Sequence, residues 1–239
     1  LPWTTILTAD YMMVNQASAY ALGISSAPPV LTDPTDLNFY PAQAADYPHT
    51  GLLSSPVFLN RYPTTDTNRN RHRSRIVFSY FLNTNILALA DRPIDASNST
   101  IHNPTMNDPQ CNVCHSVLDP VAGAFQNWDD DGHYTPPETG WFPEMYPPGF
   151  EDEQIDLTQS NTALRWLAER IVEDPRFAQA TVNMLYTGIT GFEVLREYEL
   201  GEDPVAAQAW QRQSEWLLEM SNQLIEQDYD IKDTVIEIV

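Results

Sequence analysis

Prolines decide where regular structure can run in this chain. Between residues 24 and 65 they recur at Pro28, Pro29, Pro34, Pro41, Pro48, Pro56 and Pro63. Each lacks a backbone N–H and fixes φ, so neither a long helix nor a central strand survives such spacing. Pro93, Pro104 and Pro109 break residues 89 to 110 in the same way, and an irregular stretch rich in Asp, Gly and Pro runs from Asp119 to about Asp156. Helices are expected in the gaps. One opens near Thr8-Ala9-Asp10 and runs through Met12, Met13 and Val14 to Leu22, with Gly23 as its stop. Ile76, Val77, Tyr80, Phe81 and Leu82 recur at helical spacing after a run of arginines. In the last third, Leu164, Trp166, Leu167 and Ile171 mark a helix that ends at Asp174-Pro175. Further helices fit Phe177 to Thr187, Pro204 to about Gln227, and a short segment from Ile231. No strand-like alternation stands out. The pattern predicts a mostly α fold with long irregular Pro- and Asp-rich loops.

Only two cysteines are present, Cys111 and Cys114, too few and too close for a disulfide framework. A redox dithiol needs a strand before the pair and a helix after it. Here Asn107-Asp108-Pro109-Gln110 precedes it, which is loop or helix-cap chemistry. The residue after the second cysteine is His115, and Cys111-Asn112-Val113-Cys114-His115 is the C-x-x-C-H signature of covalent haem attachment. The spacing has a chemical reason: two thiols form thioethers with the two haem vinyl groups, and the adjoining imidazole comes under the iron. A zinc site would want four ligands, usually with a second close Cys or His pair, and His49, His72, His102 and His133 are scattered.

Charge narrows the partners. The formal net charge is −21, which repels phosphate backbones and argues against nucleic acid. No apolar run approaches the roughly 20 residues a membrane helix needs. Lys232 is the single lysine, and five of the eleven arginines (Arg61, Arg69, Arg71, Arg73 and Arg75) fall in one short stretch. Such a cluster in an acidic protein points to a buried anion nearby, since guanidinium makes forked, charge-assisted bonds to carboxylates.

The segment after the pentapeptide, Leu118-Asp119-Pro120-Val121-Ala122-Gly123-Ala124-Phe125-Gln126-Asn127-Trp128-Asp129, resembles the corresponding stretch of planctomycete-type cytochrome c domain proteins. Leu7 to Tyr11 with Val14-Asn15, Gly51 to Pro56, Asp174 to Phe177 and Asp228 to Lys232 are similar to further segments of that family. The resemblance covers nearly the whole chain and implies haem binding and a periplasmic or extracellular (cell-surface) setting. Family members are normally longer, and with the non-basic start at Leu1-Pro2-Trp3 this chain reads as a piece of a longer protein.

The sixth iron ligand is left open by the sequence. Met145, in the Pro-rich segment Glu144-Met145-Tyr146-Pro147-Pro148, is the first candidate, and His72 within the arginine cluster is the alternative. Met106 and His102 lie on the proximal side in sequence, while Met12, Met13, Met184 and Met220 sit among apolar residues as core candidates. Haem propionates or surface carboxylates are both partners for the arginines. Arg71 and Arg75 share a helix face, as do Arg69 and Arg73 if the helix starts early enough. Asp129-Asp130-Asp131-Gly132 offers hard oxygen ligands for Ca²⁺ without EF-hand spacing. Trp128, Trp141, Phe142 and Tyr146 are placed to shield a haem or to stack a sugar. Asn98-Ser99-Thr100 matches a glycosylation sequon.

The expectation is one mono-haem cytochrome c-like domain over residues 1–239, with a haem-binding portion at about 50–155 and a helical portion at about 156–239. Its work would be one-electron transfer with an extracytoplasmic redox protein, a polysaccharide-degrading oxidase being one such partner. The reading favours an electron carrier over an enzyme. The alternatives are a haem enzyme of peroxidase or oxidase type, and a binding module in which haem is structural.

Overall fold

Aspartate followed by proline starts three of the helices. The side chains of Asp108, Asp174 and Asp203 accept the N–H groups of Gln110, Arg176 and Val205 at 2.9, 2.8 and 2.9 Å. In each case proline fills the first helical position, where its missing N–H costs nothing and its φ is already helical. The structure is a computed structural model and describes residues 1–21, 35–44, 47–90, 101–136, 141–197 and 203–239. The expected stop at Gly23 and the Asn98-Ser99-Thr100 sequon lie outside the described residues. Among those described, helices dominate and the sheets are two short antiparallel pairs.

Two compact units emerge. The larger comprises residues 5–76 and 85–170. It holds α1 (Thr5–Thr8), β1 (Met12–Val14), α2 (Gln16–Ala21), β2 (Tyr40–Ala42), α3 (Pro56–Arg61) and the start of α4 (Arg71–Phe81). A 3-10 turn at Ile86–Leu89 follows, then α5 (Pro104–Asn107), α6 (Pro109–Gly123), β3 (Gly149–Phe150), β4 (Glu153–Gln154) and most of α7 (Ala163–Glu173). Leu7, Leu53, Leu59, Ile86, Phe125, Trp128, Leu164 and Leu167 are buried in its core. Each such side chain contributes roughly 1.5–3 kcal/mol by leaving water. Gly123 ends α6 against Pro148, where a Cβ would collide with the proline ring.

The smaller unit comprises residues 1–4, 77–84 and 171–239. α8 (Pro175–Thr190) packs along α9 (Pro204–Glu226), and α10 (Ile231–Ile238) packs on both. Phe177, Val182, Leu217, Met220 and Leu224 are buried. The turn between α9 and α10 places Asp228 and Tyr229 at positive φ, and the Tyr229 carbonyl accepts the Trp3 N–H at 2.9 Å.

The helices of the last third and α4 lie where periodicity puts them, within a few residues. The first predicted helix forms only in part: Gln16–Ala21 is helical, but Met12–Val14 is a strand paired with Tyr40–Ala42, Met13 opposite Pro41. Proline is tolerated there because a two-stranded pair leaves its nitrogen on an outer edge. Two of the four expected core methionines are half exposed, Met13 at 52% and Met184 at 48%. No helix among the described residues is long and apolar enough to cross a membrane.

Candidate functional site

Helix α6 carries Cys111, Cys114 and His115 on neighbouring turns, the 3- and 4-residue spacings bringing them to one side. Both thiols are free, Cys111 buried and Cys114 half-buried. The Cys114 thiol donates to the Ile86 carbonyl at 3.5 Å, which fixes the 3-10 turn beside the helix. Burial raises the pKa of both thiols, and Asp108 and the other cysteine add to it at Cys111. A redox dithiol at a helix start works through a lowered thiol pKa, so this environment opposes that chemistry.

One turn beyond His115 on the same helix stands Asp119, its side chain wholly buried. His115 Nδ1 lies 2.9 Å from Asp119 Oδ1. Arg71 of α4 grips the same carboxylate with both arms, Nε to Oδ1 at 2.7 Å and Nη2 to Oδ2 at 3.0 Å. Burial pushes the Asp119 carboxyl up, but hydrogen bonds from His115 and Arg71 outweigh it and hold the group below the ordinary carboxylate value. An ionised carboxylate only accepts, so the proton between the two side chains belongs to His115 Nδ1, and the neutral imidazole in this tautomer has its lone pair on Nε2. Ser74, one turn along α4 from Arg71, donates to the Leu118 carbonyl at 2.7 Å and clamps the two helices at this point.

The arginine cluster divides. Arg71 takes Asp119 as its anion. Arg73 is wholly buried and is spent on main-chain carbonyls. Arg75 is exposed and has no hydrogen bond or ion pair among the described residues. Arg69 precedes the helix at φ 46°, so the face shared by Arg69 and Arg73 does not form. Instead Arg69 pairs with Glu144 at 3.0 Å and lies over the Phe142 ring at 4.9 Å. Between these contacts and the Tyr146 hydroxyl, which donates to the Met106 carbonyl at 3.4 Å, sits buried Met145. His72 is exposed, its ring edge-on to Tyr62 at 5.4 Å, and burial together with Arg75 and Arg61 lowers its pKa. His49 accepts the Ala44 N–H at 3.0 Å and lines a separate groove of about 1110 Å³ with Asp10, Tyr47, Trp128 and Arg165.

The Asp129-Asp130-Asp131 run serves its own loop. Asp129 accepts the His133 N–H at 2.8 Å, and among the described residues no three His, Cys, Asp or Glu side chains converge as ligands for a bare metal ion. Two free thiols followed by an imidazole with its Nδ1 already tied fit a haem bearing two vinyl groups better than a tetrahedral metal. Trp141 Nε1, four residues before Met145, is a buried donor without a partner among the described residues. The buried Asp119 and the carbonyl of Ile86 belong to this site as well. The spacing of His115 and Asp119 could have revealed the first. Nothing in the sequence pointed to the second.

Residues 49–138, which include the pentapeptide, match the family model PSCyt3, described as a protein of unknown function (DUF1588). The name is that of a planctomycete cytochrome c-type family. Nothing matches among curated proteins or among solved structures.

Proposed function

We propose that this chain is a c-type cytochrome domain. Cys111 and Cys114 would hold one haem through thioether bonds, and His115 would ligate its iron. The observation that carries the reading is the state of α6: two unpaired thiols at attachment spacing, then an imidazole whose Nδ1 is committed to Asp119 and whose Nε2 is left to a metal. The bound group would supply a one-electron couple at iron. The chain's residues set its surroundings. Asp119 fixes the tautomer and orientation of His115, Ile86 covers the Cys114 side of the helix, and Met145 on its tethered loop is the proposed second axial ligand. Arg75, exposed on α4, is an arginine available to a propionate.

The partner we propose is an extracytoplasmic redox protein. A formal charge of −21 favours one with a basic docking face, since complementary fields speed encounter and fall off with salt. A polysaccharide-degrading oxidase is one partner of this class.

The test is expression with the c-type maturation machinery. One covalent haem per chain, with a reduced pyridine haemochrome spectrum of the two-thioether kind that changes in Cys111→Ser and Cys114→Ser, is the expected result. A chain that leaves that machinery with both thiols free overturns the proposal.

A further inference from the structure

The pair formed by Asp119 and Arg71 does more than join two helices. Asp119 Oδ1 is shared between two donors, His115 Nδ1 at 2.9 Å and Arg71 Nε at 2.7 Å, while among the described residues Oδ2 meets Arg71 Nη2 alone, at 3.0 Å. The Asp119 side chain has no exposed surface, and the Arg71 and His115 side chains keep 18% and 22% of theirs. Its charge is therefore divided between these two partners and little is lost to water. What reaches the imidazole depends on what the guanidinium takes.

We infer that Asp119 is a positioning residue that makes His115 an electron-rich ligand, and that Arg71 limits how far it does so. The inference rests on the reading of His115 as the axial iron ligand. The frame is rigid enough for the task. His115 and Asp119 are one turn apart on α6, and Ser74 pins α4 to the Leu118 carbonyl next to the carboxylate. An anionic acceptor on Nδ1 raises the basicity of Nε2, and a more basic ligand stabilises ferric over ferrous iron. A neutral acceptor in the same place would hold the ring equally well without that electronic push. The choice of a buried carboxylate, with a cation on its far side, gives the ligand a field that two separate substitutions move in opposite directions.

The experiment uses the haem-loaded chain and its variants Asp119→Asn, Arg71→Gln and Arg165→Gln, with covalent haem content measured first. Reduction potentials come from spectroelectrochemical titration, and the His115 Nδ1–H resonance is followed by NMR in the reduced, diamagnetic protein. Asp119→Asn keeps an acceptor and removes the charge. It should shift the redox equilibrium about tenfold toward the reduced form, about 59 mV upward for one electron, and move the Nδ1–H resonance upfield. Arg71→Gln should shift the potential downward and the resonance downfield. Arg165→Gln makes the same change in net charge at an exposed pair with Glu169 and should do neither. The inference is overturned if both site variants shift the potential the same way, or if neither exceeds the Arg165→Gln control. If Asp119→Asn fails to retain haem, Arg71→Gln decides alone, and an unchanged or raised potential overturns the inference. Absence of covalent haem in the unaltered chain overturns the cytochrome proposal itself, a separate outcome read before any potential.

Discussion

Arg73 Nη2 donates to the main-chain carbonyl of Asp129 at 2.6 Å, with the guanidinium wholly removed from solvent. The same side chain reaches the carbonyls of Tyr62 and Trp128 at 2.9 Å each, that of Leu59 at 3.2 Å, and Asn70 Oδ1 at 3.0 Å. One cation thus satisfies the acceptors left at the end of α3 and those of the chain after α6. Its five N–H donors suit a cage of carbonyls that lysine, with three donors on a point charge, does not match. Burial pulls its pKa down to about 10 against the opposing pull of Asp129 and Asp130, so it stays charged at neutral pH.

Arg73→Met should therefore be among the most damaging single changes in the larger unit. It leaves buried carbonyls without donors, at a cost of about 3–5 kcal/mol by analogy with breaking a buried charged network. Urea unfolding followed by Trp fluorescence measures it. Arg73→Lys should recover only part of the loss. An unfolding free energy for Arg73→Met within about 0.5 kcal/mol of the unaltered chain, the size of an ordinary surface change, would contradict this account.

Gly51 has φ +45°, and its N–H donates to the Ala9 carbonyl at 2.8 Å. A Cβ there would overlap the carbonyl of Ile6, while the next residue, Leu52, donates its N–H to that same oxygen at 2.8 Å. Backbone strain at a left-handed position alone costs of order 1–3 kcal/mol, and the overlap adds to it. Gly51→Ala should lower the melting temperature by several degrees. Gly188→Ala, where a Cβ meets nothing within 4 Å, should leave it unchanged or raise it.

The contrast between what the sequence revealed and what it concealed follows the range of the interactions. The helices from α7 onward were legible because each carries a periodic apolar face, and because α8 and α9 open on an Asp cap with proline behind it and α10 on an Asp cap alone. The strand at Met12–Val14 was hidden because three residues carry no readable period and their partner lies beyond several prolines, at Tyr40–Ala42. In α6 the difficulty was composition: the abundance of Asp, Gly and Pro after it put Asp119 at the head of an irregular stretch. In the structure the helix runs through Pro120 to Gly123, since proline fits helical φ and gives up one N–H bond. That extra turn is what brings His115 and Asp119 together. The arginine cluster announced a buried anion, but which one was settled by Arg71 meeting Asp119, 48 residues away.

Acid should weaken the smaller unit through Asp174. This residue caps α8 and holds Arg176 with both oxygens, Nε to Oδ1 at 2.9 Å and Nη2 to Oδ2 at 2.7 Å. Burial raises its pKa, yet the side-chain and backbone bonds from Arg176 prevail and bring it below the ordinary value of 3.8. A depressed carboxyl stabilises the fold above its unfolded value, and that contribution disappears as pH falls through the folded one. Asp174→Ala should cost about 1 kcal/mol near neutrality, the usual worth of such a cap. The gap between the two proteins should close below about pH 4. Thermal melts across pH 2.5 to 7 test it, and a gap that stays constant over that range would rule Asp174 out as the cause.

Met145 and His72 make different demands as sixth ligands. Met145 is already buried, at 5% exposure, on a loop held by Arg69 at one side and by the Tyr146 hydroxyl at the other. Thioether ligation there needs no change in its burial. His72 keeps an exposed ring against Tyr62 and sits among cations that favour its neutral form, which suits metal binding, but its place on the outer side of α4 gives it no such loop. The haem-loaded protein should accordingly show the near-infrared charge-transfer band of methionine–iron ligation in magnetic circular dichroism, lost in Met145→Ala and kept in His72→Ala. Arg69→Gln, which frees the loop from Glu144 and Phe142, should retain the band at low temperature and lose it on warming before the fold melts. A bis-histidine spectrum abolished by His72→Ala would transfer the assignment to His72 and leave Met145 as a core residue.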